Sequence, residues 1–569
     1  MQIRKYPFRF SIVFLFLLGL LIFFAVHLVF IQIFRSAYLT HLARRQHEQV
    51  IELEPVRGTI FDRNKRPLAF NIAVYSLFAN PRVMSEANKQ SAVMNLSPLL
   101  NMSPAEISGQ LAKDRYFVWL YRKMSSDVVE KIKAWRIPGL GFQKESKRYY
   151  PGGPLAAHVI GFAGIDNEGL EGLELAFNRR LKGEPGWMNV RRDARQRQLM
   201  LDPEFLPPQD GMNLVLTIDE TIQYLTEQAL AKGAEKHHAA AASMIVVDVK
   251  TGEVLALANV PTYDLANAAS SSTESRTNRA ISFMNEPGSV FKIVTAAAAL
   301  EEGGVKEEDK VYCENGEYRV ANHILHDHTR HGFITFRQVI EVSSNIGTTK
   351  IAQKIGPDLV YKYAKRYRFG ELTGIDLKGE VAGVIKPVAQ WSKTSIGAVP
   401  IGQEVTVTPI QLLGAIAAVA NDGVYMKPYV VKAVKDKYDQ VIEAFGPREL
   451  GRVMSVETAK RLREILRGVV EEGTAKTARI DGVSVGGKTG TAQKVVGGTY
   501  SHDKFYASFI GFAPVENPRL AAVVVFDEPH PSYYGGTVAA PVFKEVMENA
   551  LKYLSVVDAG KVNETPKTP

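Results

Sequence analysis

Between Arg9 and Arg35 the chain runs for 25 residues, Phe10 to Phe34, without a single Asp, Glu, Lys or Arg. Ser11, His27 and Gln32 are its clearly polar members. About 20 apolar residues let a helix cross the hydrocarbon core of a bilayer. In that medium every backbone group must be satisfied within the segment, so the run has little choice but to be a helix. A cleaved signal peptide has a shorter apolar core and ends at small residues, and no such site follows Phe34. The run therefore reads as an uncleaved anchor. Arg4, Lys5 and Arg9 ahead of it argue for a cytoplasmic head. Arg35, Arg44 and Arg45 beyond it argue the other way, but a long following domain is exported regardless of such charges. The expectation is a single-pass protein of the cell (cytoplasmic) membrane, with everything after the anchor extracytoplasmic.

The chain has the length and apolar content for two or three domains and at least one large core. Over 569 residues a formal net charge of +9 is mild. It suits an anionic surface or carboxylate-bearing substrates, and it is no nucleic-acid signature. Cys313 is the one cysteine, which excludes an internal disulfide framework and a cysteine-based zinc site. After the anchor, "RSAYLTHLARRQHEQVIELEP" reads as a helical stalk entering a strand, and the "DRNK" of "RGTIFDRNKRPLA" as a turn between two strands. "LPPQDG", Leu206 to Gly211, has loop composition and marks a domain boundary. The layout is a tail (1–9), an anchor (10–34), a first exported domain (35–210), a second one (211–555) and a tail of disordered composition (556–569). In the second domain "MNLVLTID" reads as a strand and "ETIQYLTEQALAKGAEKHHAA" as an amphipathic helix. "SMIVVDVKTGEVLALANV" reads as a hairpin. Helices dominate from Ser289 to about 420, and strands return near 485–527. Strands at both ends with helices between predict an α+β fold around one antiparallel sheet.

The chemistry centres on "EPGSVFKIVTAAAALEEGG". Ser289 stands three residues before Lys292, which on a helix puts hydroxyl and amine on one face. Serine becomes a nucleophile when a neighbouring base takes its proton. Lysine is such a base once burial or nearby cations pull its pKa toward neutrality. A helix start adds N–H donors for a developing oxyanion. The spacing alone is weak, and "SHDK", Ser501 to Lys504, repeats it between probable strands. Two further stretches add weight. "EVSSNIG" places Ser343 and Asn345 two apart, a hydroxyl and a carboxamide able to relay a proton and hold a substrate amide. "GGKTGTAQK" places Lys488, Thr489, Gly490 and Thr491 on a strand, where they can grip a carboxylate and let a peptide backbone approach closely. It too has a decoy, Lys250-Thr251-Gly252, in the predicted hairpin turn.

Ser-x-x-Lys, Ser-x-Asn and Lys-Thr-Gly, in that order on helix, loop and strand, resemble the motif set of penicillin-binding proteins and class A β-lactamases. Ser344 stands where the quoted middle motif has Asp. The anchor, "RGTIFDRN", "RYYPGGPLAAHVIGF" and "LTIDETIQ" are similar to class B penicillin-binding proteins. The stretches "GQEVTVTPIQLLGAIAAVANDG" and "GGKTGTAQKVVGGTYSHDKFYASFIGFAP" are most similar to the septal, FtsI-type members. The resemblance implies a non-catalytic pedestal of dimerisation type over 35–210, and a penicillin-binding domain of antiparallel sheet flanked by helices, with a helical subdomain, over 211–555. It implies a D,D-transpeptidase that cross-links stem peptides through a serine acyl-enzyme. Ser289 would attack the penultimate D-Ala and Lys292 accept its proton. Ser343 would shuttle the proton, Asn345 hold the substrate amide and Lys488 organise the field. Thr489 and Thr491 would bind the terminal carboxylate. Backbone N–H groups of Ser289 and Thr491 would form the oxyanion hole. The implied partners are D-Ala-D-Ala donors, amine acceptors, β-lactams as inhibitors, a SEDS-class glycan polymerase and other division proteins; no metal or organic cofactor is implied.

Other readings compete. The same chemistry serves lateral wall elongation or sporulation. A sensor or scaffold without turnover would need a cytoplasmic signalling domain, and nine residues precede the span. A β-lactamase leaves the pedestal unexplained. "HILHDHTRH", with four histidines and Asp327, reads as a solvated surface connection rather than a metal site, and His237-His238 as a helix end. Arg57, Asp62, Arg63 and Arg148 are expected to pair within the pedestal. Cys313 reads as an incidental thiol.

Overall fold

A computed structural model of the chain describes residues 7–39, 48–192, 198–199 and 205–563. The apolar run is α-helical over Pro7–Val29 and closes in a π-type turn over Phe30–Phe34. Phe8–Phe34 is 27 residues long and has no buried side chain. At 1.5 Å per residue it measures about 40 Å, enough to cross a core of about 30 Å with some tilt. Residues 40–47 of the expected stalk lie outside the described residues.

The described residues up to Val56 and within Gly183–Asp210 form one unit. In it Glu48–Leu53 pairs antiparallel with Gly186–Arg192, which also carries Gln198–Leu199 and Phe205–Leu206.

Arg57–Lys182 and the chain from Gly211 onward form the second unit. A seven-stranded sheet runs through it in the order Val441–Ala444, Val431–Lys435, Asn213–Leu216, Ile60–Phe61, Pro67–Ala79, Val118–Met124, with Leu140–Tyr149 also on Pro67–Ala79. Ile60–Phe61 joins the two halves: it is antiparallel to Pro67–Ala79 and parallel to Asn213–Leu216. The turn between Ile60–Phe61 and Pro67–Ala79 forms as the sequence predicts. The Asp62 carboxylate closes it by accepting from the backbone N–H groups of Asn64 (2.7 Å) and Arg66 (2.8 Å).

The expected pairing within the pedestal holds for Arg57 and Arg148 and needs correcting for Asp62 and Arg63. Asp62 serves the backbone. Arg57 and Arg148 converge on Glu174, the Nε of each 2.6 Å from a different carboxylate oxygen. All three side chains are buried, a position that a charge tolerates only with a partner. Arg63 leaves the pedestal segment and meets Glu253 at 3.1 Å, because its turn sits against the strand after residue 211, with Arg63 N–H donating to Ile218 O (2.9 Å).

The second sheet has five antiparallel strands in the order Val254–Val260, Ala241–Asp248, Leu520–Asp527, Thr499–Ala513, Gly486–Val496. All eight residues of Leu520–Asp527 are buried, as a central strand covered on both faces requires. Glu220–Lys236 and Gly535–Asn563 pack on each other and on the sheet, and Pro409–Ala420 and Val456–Glu471 also pack on it. Gly535–Asn563 reaches into the stretch expected as a tail. The helix Lys292–Glu301 is buried over Lys292 to Leu300. Its alanine run, Ala296 to Ala299, lets the helices Asn345–Ile355 and Pro357–Arg366 come close.

Candidate active site

Ser289 does not open the α-helix. It lies in a 3-10 turn, Gly288–Phe291, and the α-helix begins at Lys292. The turn leaves Ser289 half-buried at the surface while Lys292 is fully buried. Two close approaches hold it. Gly288 takes φ +58°, and a Cβ there would lie 2.9 Å from Thr491 O. On its other side Gly288 N–H donates to Gly402 O at 3.1 Å, and a Cβ on Gly402 would lie 2.1 Å from Gly288 O. The "GQEV" stretch thus braces the Ser289 turn.

Lys292 Nζ donates to Ser343 O (2.6 Å), Ser343 Oγ (3.1 Å) and Asn345 Oδ1 (2.8 Å). Burial pulls its ammonium down to about 7, while the charge of Asp327 works the other way. Lys488 Nζ reaches the same Ser343 Oγ at 2.9 Å. Burial first, and then the charge on Lys292, hold Lys488 well below the ordinary lysine range. One hydroxyl therefore lies between two buried amines. It has two lone pairs and one proton. It can accept from both amines, or donate to whichever has lost its proton, and so pass a proton between them.

Local sequence dictates how Ser343 gets there. The helix Phe336–Glu341 starts in a capping box between Thr335 and Gln338 and stops at Val342. Ser343 takes φ +60°, a left-handed conformation rare outside glycine and enriched where function over-determines the backbone. Ser344 then caps Asn345–Ile355, its Oγ accepting from Gly347 N–H at 2.9 Å. Asn345 is fixed at both ends of its carboxamide, since Nδ2 donates to His326 O at 2.9 Å.

Lys488 to Thr491 lie on Gly486–Val496, the sheet's edge strand, opposite Ile510, Phe509, Ser508 and Ala507. Strand alternation puts Lys488 and Gly490 on one face and both threonines on the other. Thr489 Oγ1 lies 2.9 Å from Thr474 Oγ1, and Thr491 Oγ1 accepts from Gly535 N–H at 3.3 Å. A Cβ at Gly490 would stand 2.3 Å from Ser508 Oγ, 2.7 Å from Val290 Cγ2 and 2.9 Å from Pro287 O. Only glycine lets the strand press onto the serine turn. Hydrogen bonds thus join Lys292, Ser343, Asn345 and Lys488. Backbone packing brings Gly490 and Thr491 onto the turn that carries Ser289, and that turn runs directly into Lys292.

Both decoys are structural. Ser501 Oγ–H donates to Asp503 (2.5 Å) and Lys504 pairs with Glu528 (3.1 Å). The Lys250 turn is closed by Asp248, which accepts from Lys250 and Thr251 N–H at 3.0 Å each. Cys313 is buried beside Ser344, and burial raises its thiol pKa.

Sequence reasoning missed two acidic groups. Glu286, inside the quoted "EPGS", accepts from Glu404 N–H (2.8 Å) and Tyr500 O–H (3.2 Å); burial raises its pKa, against those bonds. Asp327 was expected in a solvated connection. Instead the preceding residues form a hairpin, Glu317–Val320 with His323–His326. Asp327 is turned inward: Oδ2 accepts from Ser344 Oγ–H (2.5 Å), and Oδ1 from the N–H groups of Asn345 (2.6 Å) and Ile346 (3.0 Å). The one signal in the sequence was an acid close ahead of a Ser-Ser-Asn helix start, and a capping bond from outside the local turn has no fixed spacing.

Comparison with known proteins places both long segments of the chain in known families. The penicillin binding protein transpeptidase domain family matches residues 242–548, and the penicillin-binding protein dimerisation domain family matches residues 52–216. Stage V sporulation protein D of Bacillus subtilis is 35% identical over 568 residues, covering 98% of this chain and 88% of that protein. Peptidoglycan D,D-transpeptidase FtsI of Escherichia coli is 32% identical over 516 residues, covering 89% of this chain and 85% of that protein. Among solved structures, penicillin-binding protein 3 of Mycobacterium tuberculosis complexed with aztreonam superposes with a TM-score of 0.70 at 30% identity, over 89% of this chain and 98% of that one.

Proposed function

Because the chain belongs to the penicillin-binding proteins, as a peptidoglycan D,D-transpeptidase of class B, we propose that Ser289 is its nucleophile and that its work is septal wall synthesis. The observation that carries the chemical half is the Ser343 hydroxyl held between two buried amines, beside the Ser289 turn.

In this reading Ser289 Oγ attacks the carbonyl carbon of the penultimate D-Ala. Its proton passes to neutral Lys292 Nζ. The N–H groups of Ser289 and Thr491 hold the oxyanion, where fixed donors in a dry site count most. The C–N bond then breaks, and the terminal D-Ala leaves with a proton delivered through Ser343. Thr489 and Thr491 hold its carboxylate, Lys488 organises the field beside Ser343, and Gly490 lets the peptide lie close. Asn345 holds the substrate amide. An amine of a second stem peptide attacks the ester, gives up a proton to the base, and restores Ser289. A β-lactam mimics the D-Ala-D-Ala end and leaves a slow acyl-enzyme; the mycobacterial relative bound to aztreonam supports that expectation. The Phe8–Phe34 helix supports a single-pass anchor with the catalytic domain outside, placed to meet a SEDS-class glycan polymerase and other division proteins.

The septal role rests on the FtsI-type stretches around Gly402 and Lys488. A sporulation role is the second reading, favoured by a sporulation protein matching 98% of the chain. Labelling purified protein with a fluorescent penicillin and mapping the adduct tests the chemistry. The expected adduct is on Ser289 and is lost in Ser289→Ala. An adduct elsewhere overturns the assignment. Depletion in growing cells tests the role: filaments without septa support it, and normal division with failed spores transfers the chain to the second reading.

A further inference from the structure

The middle motif lacks the acid that its quoted form carries. Ser344 offers a short hydroxyl there, and that hydroxyl reaches back 17 residues to a carboxylate at 2.5 Å. Both oxygens of Asp327 are used, one by Ser344 Oγ–H and the other by two backbone N–H groups at the start of Asn345–Ile355. The residue just before it, His326, holds Asn345 Nδ2 through its carbonyl at 2.9 Å. His326–Asp327 therefore dictates both the backbone that follows Ser343 and which end of the Asn345 carboxamide faces Lys292.

We propose that Asp327 is a positioning residue of the transpeptidation site, a carboxylate brought through space from the neighbouring hairpin to hold the Ser343–Asn345 loop and to set one negative charge behind Lys292. The inference rests on the reading of Ser343 and Asn345 as parts of that site. The charged groups facing Lys292 are Lys488, across the Ser343 hydroxyl, and Asp327, behind the loop. The two act in opposite senses on a proton at Lys292. A left-handed Ser343 between two helices is a costly conformation, and three hydrogen bonds to one carboxylate, charge-assisted and short, are what over-determines it.

The test is the second-order acylation rate of the full-length protein by a fluorescent penicillin from pH 5 to 9, for wild type, Asp327→Asn and Asp327→Ala, with thermal unfolding measured alongside. Asn keeps an oxygen for the two N–H groups and drops the charge. Without that charge Lys292 gives up its proton more readily, so the acidic limb of the Asp327→Asn profile moves to lower pH. Asp327→Ala frees the loop and slows acylation roughly 100-fold at the plateau, the scale set by ångström displacements of reacting groups. A merely structural cap would leave the Asp327→Asn limb in place. An unmoved limb there, or a folded Asp327→Ala with the wild-type rate, overturns the inference. If Asp327→Ala fails to fold, the Asp327→Asn limb decides alone. An unmoved limb with the adduct still on Ser289 defeats this inference only, whereas no adduct on Ser289 in wild type defeats the site reading as well.

Discussion

Lys292 offers the most direct numerical test of the site. An amine at the ordinary 10.5 is neutral in roughly one molecule in 3,000 at pH 7; at about 7 it is neutral in half of them. Burial thus raises the supply of free base roughly 10³-fold at neutral pH. The sign follows: acylation needs the neutral amine, so it is fastest above the folded-state pKa and falls as pH drops through it. The rate constant for penicillin acylation should be flat near pH 9, half-maximal near pH 7, and about 100-fold lower at pH 5. Lys292→Arg keeps a cation in the same place but cannot deprotonate. It should lose about 10²- to 10⁴-fold in rate, the usual worth of a general base, and lose the acidic limb with it. The assay is the time course of fluorescent adduct at each pH, with circular dichroism confirming that the variant is folded. A flat profile from pH 5 to 9, or an active Lys292→Arg, would refute the assignment of Lys292 as the base.

Three further outcomes follow from the packing. Glu174→Gln leaves the buried Arg57 and Arg148 guanidiniums without their anion; urea unfolding should show a loss of about 3–5 kcal/mol, and unchanged stability would mean that backbone oxygens suffice. Gly490→Ala places a carbon 2.3 Å from Ser508 Oγ and 2.7 Å from Val290 Cγ2, so the edge strand must retreat from the serine turn and acylation should fall at least about 10-fold; a wild-type rate would show that the strand's closeness is dispensable. Ser501→Ala removes a hydroxyl that closes a local turn on Asp503, and acylation should stay unchanged; loss of labelling would reopen the choice between the two Ser-x-x-Lys pairs.

What was legible in the sequence was local. The 25-residue uncharged run, the hairpin around Lys250 and the three motifs are each short and carry their own signal. What was illegible depends on partners far along the chain. Nothing near Arg63 points to Glu253, 190 residues on. Nothing near Arg57 and Arg148 says that both will meet Glu174, since buried ion pairs have no periodicity. The α-helical start expected at Ser289 is a 3-10 turn instead, with the α-helix beginning at Lys292. A 3-10 start looks like an α-helical start in composition, and the difference is made by Gly288 packing against Thr491 and Gly402. Asp327 was hidden for a related reason. Four flanking histidines drew the reading toward metal or solvent, while the decisive bonds run to a helix whose start is fixed only when the hairpin folds.

The strand Ile60–Phe61 has a consequence in time. Its outer neighbours in the seven-stranded sheet begin at Asn213, and theirs end at Ala444. Ribosomes add about 5–20 residues per second, so from Ile60 to Ala444 takes about 20–80 s. Pairing of Pro67–Ala79 with Val118–Met124 and Leu140–Tyr149 needs only nearby sequence and can form before the rest is made. The Ile60–Phe61 side of the early half then has no partner until Asn213–Leu216 is made. That edge is only two residues long, and a short edge gives stray strands little to pair with. The brevity of Ile60–Phe61 limits mispairing on that side of the sheet while its later strands are made.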